Sequence, residues 1–158
     1  MHTDWLLPCV HGFIAQSKLS IFGKSIYVTL VARRSRQFAG TRFLKRGADD
    51  KGNPANHVES EQIVHDASTV GHGHGRFTSY LQLRASVPVF WMQDHSGMKA
   101  KPPISMNRND PFFSTAAMHF DRLLQKYGGP VIVLDLVKKK EKRPRESILF
   151  DELTACLE

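Results

Sequence analysis

The sequence predicts an α/β fold of the α+β kind, a mixed β-sheet with flanking helices, on three observations. Residues 25–32, S-I-Y-V-T-L-V-A, are dense in β-branched side chains and fit a buried strand. Residues 76–84 alternate, with Phe77, Ser79, Leu81 and Leu83 on one side and Thr78, Tyr80, Gln82 and Arg84 on the other. Residues 111–137 place an apolar stripe at helical spacing, a Gly-Gly pair and a short apolar run in that order, the succession of a helix packed on a sheet. At 158 residues the chain is long enough for one domain with a core, or for part of a larger one. Its 41 % hydrophobic and 23 % charged residues exclude a disordered or collagen-like composition.

Each element has a local reason. Pro8 and Gly12 punctuate residues 5–15, which read as a turn into a strand. Residues 14–21 and 25–32 flank Phe22, Gly23 and Lys24, which predicts a hairpin. The second strand delivers the chain to a basic run. Arg33, Arg34, Arg36, Arg42, Lys45 and Arg46 fall within fourteen residues that hold no acid. Gly47, Asp49, Asp50, Gly52, Asn53 and Pro54 then supply a turn. Alternation before it (Phe38, Thr41, Phe43) and after it (Val58, Ile63) predicts two strands around that turn. A strand pair with arginines on one face suits a multiply charged anion; a solvated basic strand face is the plainer alternative.

In residues 65–75, His72 and His74 stand two apart among glycines, with no third ligand signalled nearby, so a loop is predicted and not a metal site. The alternating strand from Arg76 ends at Pro88, and Phe90 and Trp91 read as core. Residues 94–111 carry Gly97, Pro102 and Pro103 and form an irregular connection kept basic by Lys99 and Lys101. Asn109, Asp110 and Pro111 signal a helix start, with Asp110 as cap and Pro111 in the first turn. The helix runs to about Tyr127, its apolar face formed by Phe113, Ala116, Ala117, Phe120, Leu123 and Leu124, and Gly128 and Gly129 end it. Residues 130–137, P-V-I-V-L-D-L-V, read as a buried strand. Residues 138–146 hold six basic and two acidic side chains in a solvated loop, and Ser147 is the expected cap of a terminal helix over residues 148–157.

Lys and Arg number 22 against 15 acids, and the net charge of +7 favours an anionic partner. Nucleic acid rests on that charge alone, without the aromatic and basic alternation of a known module, and is set aside. Cys9 and Cys156, near opposite ends, make neither a disulfide framework nor a cysteine zinc site, which predicts a reducing, cytosol-facing location. No apolar run approaches the roughly 18 residues of a membrane span, and His2 and Asp4 do not fit a secretory signal. A cysteine-dependent phosphatase needs Cys-x5-Arg, and six residues after Cys9 stands Ala15. Cys9 therefore reads as a small hydrophobe.

Two segments, R-R-S-R-Q-F-A-G-T-R-F-L-K-R-G at residues 33–47 and D-D-K-G-N-P-A-N-H-V-E-S-E-Q-I at residues 49–63, closely resemble the paired motif of the Sac-domain phosphoinositide phosphatases. Ser60 stands where that family usually has Thr. Residues 84–93 resemble a further family motif. Arg84, Ser86, Pro88, Phe90, Trp91 and Gln93 match it; Ala85 replaces the usual Gly and Met92 a common Ser. Residues 5–14 resemble a non-catalytic W-x-x-P-x-x-H-G segment. E-K-R-P-R-E at residues 141–146 resembles the polyphosphoinositide 5-phosphatase branch.

The resemblance implies a partial Sac domain over residues 1–158, with the end of an amino-terminal subdomain at roughly 1–50 and the beginning of a catalytic subdomain at roughly 51–158. It implies removal of the 5-phosphate of phosphatidylinositol 3,5-bisphosphate by a cysteine thiolate, through a phosphocysteine, with no metal and no cofactor. Neither cysteine here satisfies the family's nucleophile loop, so no catalytic residue is assigned and the chain alone is expected to be inactive. Arg42, Arg46 and Arg84 are the candidates for binding phosphate or anionic head groups. Asn56, Glu59 and Glu61 are supporting candidates that orient loops or the attacking water; satisfaction of backbone groups is the plainer reading of these three. The implied partners are phosphoinositide head groups, an anionic cytosolic membrane surface, and a scaffold or lipid-kinase complex. The implied location is the cytosolic face of endosomal or vacuolar membranes. The alternative function is a non-catalytic phosphoinositide-binding or scaffolding protein.

Overall fold

The computed structural model describes residues 9–41, 44–67, 75–94 and 102–158. Contacts divide the chain into two compact units, Met1–Arg36 with His57–Arg84 and Gln37–Asn56 with Ala85–Glu158. The elements are the antiparallel strands and helices of a mixed α/β fold, as the sequence predicts.

The first unit is a four-stranded antiparallel sheet of β1 (Cys9–Ile21), β2 (Lys24–Ser35), β3 (Val58–Asp66) and β4 (Arg76–Arg84), in that spatial order. The expected hairpin forms: Ile21 pairs with Lys24 across Phe22 and Gly23. Both loop residues have positive φ, 49° and 77°, the two-residue loop whose twist matches that of the flanking strands. Strands do flank the basic run and its turn, but they begin and end elsewhere than expected. β2 stops at Ser35, so Phe38 and Thr41 lie in irregular chain; Arg42 and Phe43 lie outside the described residues. Arg33 and Arg34 are successive residues of β2 and so point to opposite faces. The expected strand pair with its arginines on one face is therefore corrected.

In the second unit β5 (Trp91–Gln93) pairs with β6 (Ile104–Met106), and α1 (Ser114–Tyr127) and α2 (Glu146–Leu157) follow. Val89, Trp91 and Leu149 form its buried cluster, with Val87, Ile104, Met106 and Val137 packed against it. Trp91 is buried as expected, and its indole N–H donates to the Val87 carbonyl at 3.2 Å. The alternating strand stops at Arg84, short of Pro88, because the chain then turns into the loop that carries this cluster.

Asp110 caps α1 from three residues before the N-cap position, which Phe113 occupies. Its carboxylate accepts from the Ser114 N–H (3.1 Å), the Ser114 hydroxyl (2.9 Å) and the Thr115 N–H (3.0 Å). Pro111 thus falls in the turn before the helix and not in its first turn. The buried stripe of α1 is Thr115, Ala116 and Leu123, while Ala117 and Leu124 of the expected apolar face are exposed. Gly128 ends the helix at φ 76°, its N–H on the Leu124 carbonyl. Asp110→Ala is expected to cost about 1 kcal/mol, the usual worth of a carboxylate N-cap. Thermal unfolding of the variant checks it, and an unchanged midpoint would count against the cap.

Two sequence expectations fail here. Residues 131–137 form no strand: Ile132, Leu134 and Leu136 are 90 %, 75 % and 84 % exposed, and no described strand pairs with them. A strand needs a ladder partner, and the Asp135 carboxylate instead takes the Val137 N–H at 2.8 Å in a local turn. Ser147 does not cap α2, because it already lies inside the helix. Glu141 does so through one carboxylate oxygen, which accepts the N–H groups of Arg145, Glu146 and Ser147. Residues 5–8, His72, His74, Lys99 and Lys101 lie outside the described residues.

Candidate functional site

The sheet places an acid pair under one arginine. Glu59 and Glu61 are two apart on β3 and so share a face, and Arg33 on β2 lies opposite Glu59. Arg33 Nε donates to Glu59 Oε1 at 2.8 Å and Nη2 donates to Glu61 Oε2 at 2.9 Å. From β4 the Ser79 hydroxyl donates to Glu61 Oε1 at 2.9 Å. Three strands are thereby tied through two carboxylates. The Glu59 side chain is 10 % exposed, and those of Arg33 and Glu61 are each 26 % exposed. The Arg33 hydrogen bond, followed by that of Ser79, holds the Glu61 carboxyl below its ordinary value, and Glu61 in turn raises the Arg33 guanidinium.

In the second unit the D-D-K-G-N-P-A-N turn folds onto the segment that follows β4. Asp49 Oδ1 accepts from the N–H groups of Lys51 (2.9 Å) and Asn53 (2.8 Å), and its Oδ2 accepts from the Asn53 side-chain amide at 2.8 Å. Burial pushes the Asp49 carboxyl up, yet these hydrogen bonds together bring it below its ordinary value. Asn53 Oδ1 accepts from Arg122 of α1, and Asp50 pairs with Arg108. Gly47 N donates to the Ser86 hydroxyl at 3.0 Å, Ala48 N to the Val89 carbonyl at 3.1 Å and Ser86 N to the Ala55 carbonyl at 3.0 Å. The Arg46 guanidinium lies 5.6 Å from the centroid of the Trp91 ring. Two segments distant in sequence, residues 46–56 and 86–91, thus form one bonded loop cluster.

The sequence-derived candidates do not converge on one spot. Arg42 lies outside the described residues. Arg46 and Asn56 belong to the loop cluster, where the Asn56 amide donates to the Lys45 carbonyl at 3.1 Å with Asn56 at φ 57°. Glu59 and Glu61 face Arg33. Arg84 ends β4 opposite Val58, exposed, on the sheet face away from the two glutamates. Sequence reasoning missed Arg33 as the partner of both acids, and missed Asp49, Asn53 and Arg122 as a bonded set. The first was findable: in a hairpin-like pairing, residues equally distant from the turn face one another, and residues 33 and 59 are such a pair. Arg122 gave no signal, because its partner lies 69 residues away.

The motif at residues 33–63 thus runs from an antiparallel sheet with an arginine-clamped acid pair into a hydrogen-bonded loop, in a chain of mixed α/β class. Residues 1–158 match the SacI homology domain. Over 163 aligned residues the chain is 50 % identical to the polyphosphoinositide phosphatase of Schizosaccharomyces pombe, covering 99 % of this chain and 20 % of that protein. It is 50 % identical over 151 residues to the phosphatidylinositol-3-phosphatase SAC1 of Arabidopsis thaliana, covering 96 % of this chain and 16 % of that protein. With the phosphoinositide phosphatase SAC2 of the same plant the identity is 48 %, over 97 % of this chain and 19 % of the relative. The chain belongs to the SacI homology domain family and spans a fifth or less of the length of these relatives.

Proposed function

We propose that the chain is part of a phosphoinositide phosphatase that removes the 5-phosphate of phosphatidylinositol 3,5-bisphosphate at the cytosolic face of endosomal or vacuolar membranes. The supporting observation is the 50 % identity, across 99 % of the chain, to a relative named polyphosphoinositide phosphatase. A net charge of +7 suits an anionic lipid surface. Polypeptide outside this chain supplies the nucleophile, a cysteine thiolate in a Cys-x5-Arg loop. Cys156 is unsuited to act as that nucleophile, because its thiol donates to the Leu153 carbonyl at 3.1 Å and burial pushes its pKa up, away from the thiolate. The same observation favours the second reading, a non-catalytic phosphoinositide-binding or scaffolding role.

Of two relatives of equal identity, one is named a phosphatidylinositol-3-phosphatase and the other's name gives no position, so the product decides which phosphate leaves. The longer polypeptide that carries this chain is expected to convert vesicle-borne phosphatidylinositol 3,5-bisphosphate into the 3-phosphate lipid. Accumulation of the 5-phosphate lipid would overturn the assigned position. Absence of phosphate release would favour the non-catalytic reading. Residues 1–158 alone are expected to release none.

A further inference from the structure

The register of the sheet gathers into one row bases that lie far apart in the sequence. His11 on β1 pairs with Arg34 on β2, Arg34 with Val58 on β3, and Val58 with Arg84 on β4. Residues directly opposite in an antiparallel ladder point to the same face, so His11, Arg34 and Arg84 share one face at one level. The next row inward is Phe13, Ala32, Ser60 and Gln82. Glu59 and Glu61 lie on the opposite face with Arg33. Among the described residues of the sheet, the carboxylate on the basic row's own face is Asp66, at the far end of β3 opposite Arg76. Among the described strand residues, register thus keeps acid from this end of the face.

We propose that the His11–Arg34–Arg84 row binds a phosphate monoester, with the hydroxyl of Ser60 and the amide of Gln82 at its inner margin. Strands lie roughly 4.8 Å apart, so Arg34 and Arg84 are about 10 Å apart at Cα, bracketing Val58. Two arginine side chains leaning toward one another across that span can meet a phosphate between them, each offering parallel N–H donors. Arg84 and His11 are exposed, while Arg34 is half-buried with its Nε shut off from solvent. A ligand would therefore reach the row at its exposed members and meet Arg34 through its terminal nitrogens. Its members sit on a hydrogen-bonded ladder and not on a loop, which fixes their spacing in advance of binding. The lipid identity of the ligand rests on the phosphatase reading; the phosphate chemistry does not.

The test is titration of the chain with inorganic phosphate, with the soluble head group of phosphatidylinositol 3,5-bisphosphate, and with phosphatidylcholine vesicles holding or lacking that lipid. Arg84→Gln is expected to weaken head-group binding about tenfold or more, while Arg76→Gln, at the other end of the same strand and face, changes it less than about twofold. The His11 ring resonances are expected to shift on saturation. Equal losses in both variants would reduce the effect to generic charge and overturn the row, as would no loss in Arg84→Gln, or no binding of phosphate or head group by the unsubstituted chain. Binding to vesicles only when they hold the lipid supports a lipid ligand; binding to the free head group alone supports a soluble one. Head-group binding that depends on Arg84, in a longer polypeptide that hydrolyses nothing, would sink the phosphatase reading and leave the row standing.

Discussion

Gly47→Ala is expected to lower stability by about 3 kcal/mol or more, the larger of two glycine effects that separate strain from crowding. Gly47 has φ 68°, where an L side chain adds about 1 kcal/mol of strain. A Cβ there would stand 2.6 Å from the Val89 carbonyl oxygen and 2.9 Å from both the N and O of Trp91. These are backbone atoms, so no rotamer change relieves the contact, and overpacking adds about 1–3 kcal/mol. The Ala48 N–H bond to Val89 would stretch or break, for about another 1 kcal/mol. Val89 and Trp91 belong to the buried cluster, so the displacement reaches the core of this unit. Gly23→Ala supplies the comparison, because Gly23 has φ 77° with nothing within 4 Å of its would-be Cβ. It should cost only about 1 kcal/mol. Urea unfolding of both variants checks the pair. Equal shifts would mean that strain alone acts, and that the close approach of the loop to Val89 and Trp91 is unimportant.

That close approach also marks where sequence reading stops. The β1–β2 hairpin, α1 and the Gly128 stop were legible because each depends on neighbours in sequence: β-branched runs, a Gly in the loop, an Asp-Pro start. Residues 131–137 misled because their apolar pattern is a strand's, while pairing is supplied by another strand or not at all. The α2 cap misled in a subtler way: Ser147 has the right residue type, but Glu141 reaches the same N–H groups from outside the helix. The site residues divide along the same line. The basic and acidic members of the motif were visible as types. Which acid faces which base depends on β2–β3 register, and register is fixed by the whole ladder. Arg33 and Arg34 show the consequence, since adjacent residues of one basic run end on opposite faces, one clamped on acids and the other in a row with Arg84.

Arg33→Ala is expected to cost about 2–3 kcal/mol at neutral pH. Breaking a fully buried ion pair by removing one partner costs about 3–5 kcal/mol. The expected cost is lower here because Arg33 and Glu61 keep a quarter of their side-chain surface in water, where solvent screens the charges. What the variant leaves is two carboxylates on one face of β3, two residues apart, with Glu59 nearly buried and its cation gone. Arg33→Lys should recover only part of the loss, because an ammonium cannot present a planar fork to two carboxylates at once. The pH dependence identifies the mechanism. Glu61 is held below its ordinary 4.5, so its contribution is complete above that pH and is lost as pH falls through the lower folded value. In Arg33→Ala the sign reverses, since a proton on either carboxyl relieves repulsion and desolvation. The gap between parent and variant should therefore be widest near pH 7 and narrow as pH falls below about 4.5, read from urea midpoints across that range. A gap independent of pH would mean that Arg33 acts through the packing of its aliphatic stem, and the clamp on Glu59 and Glu61 would then not be what ties β2, β3 and β4 together.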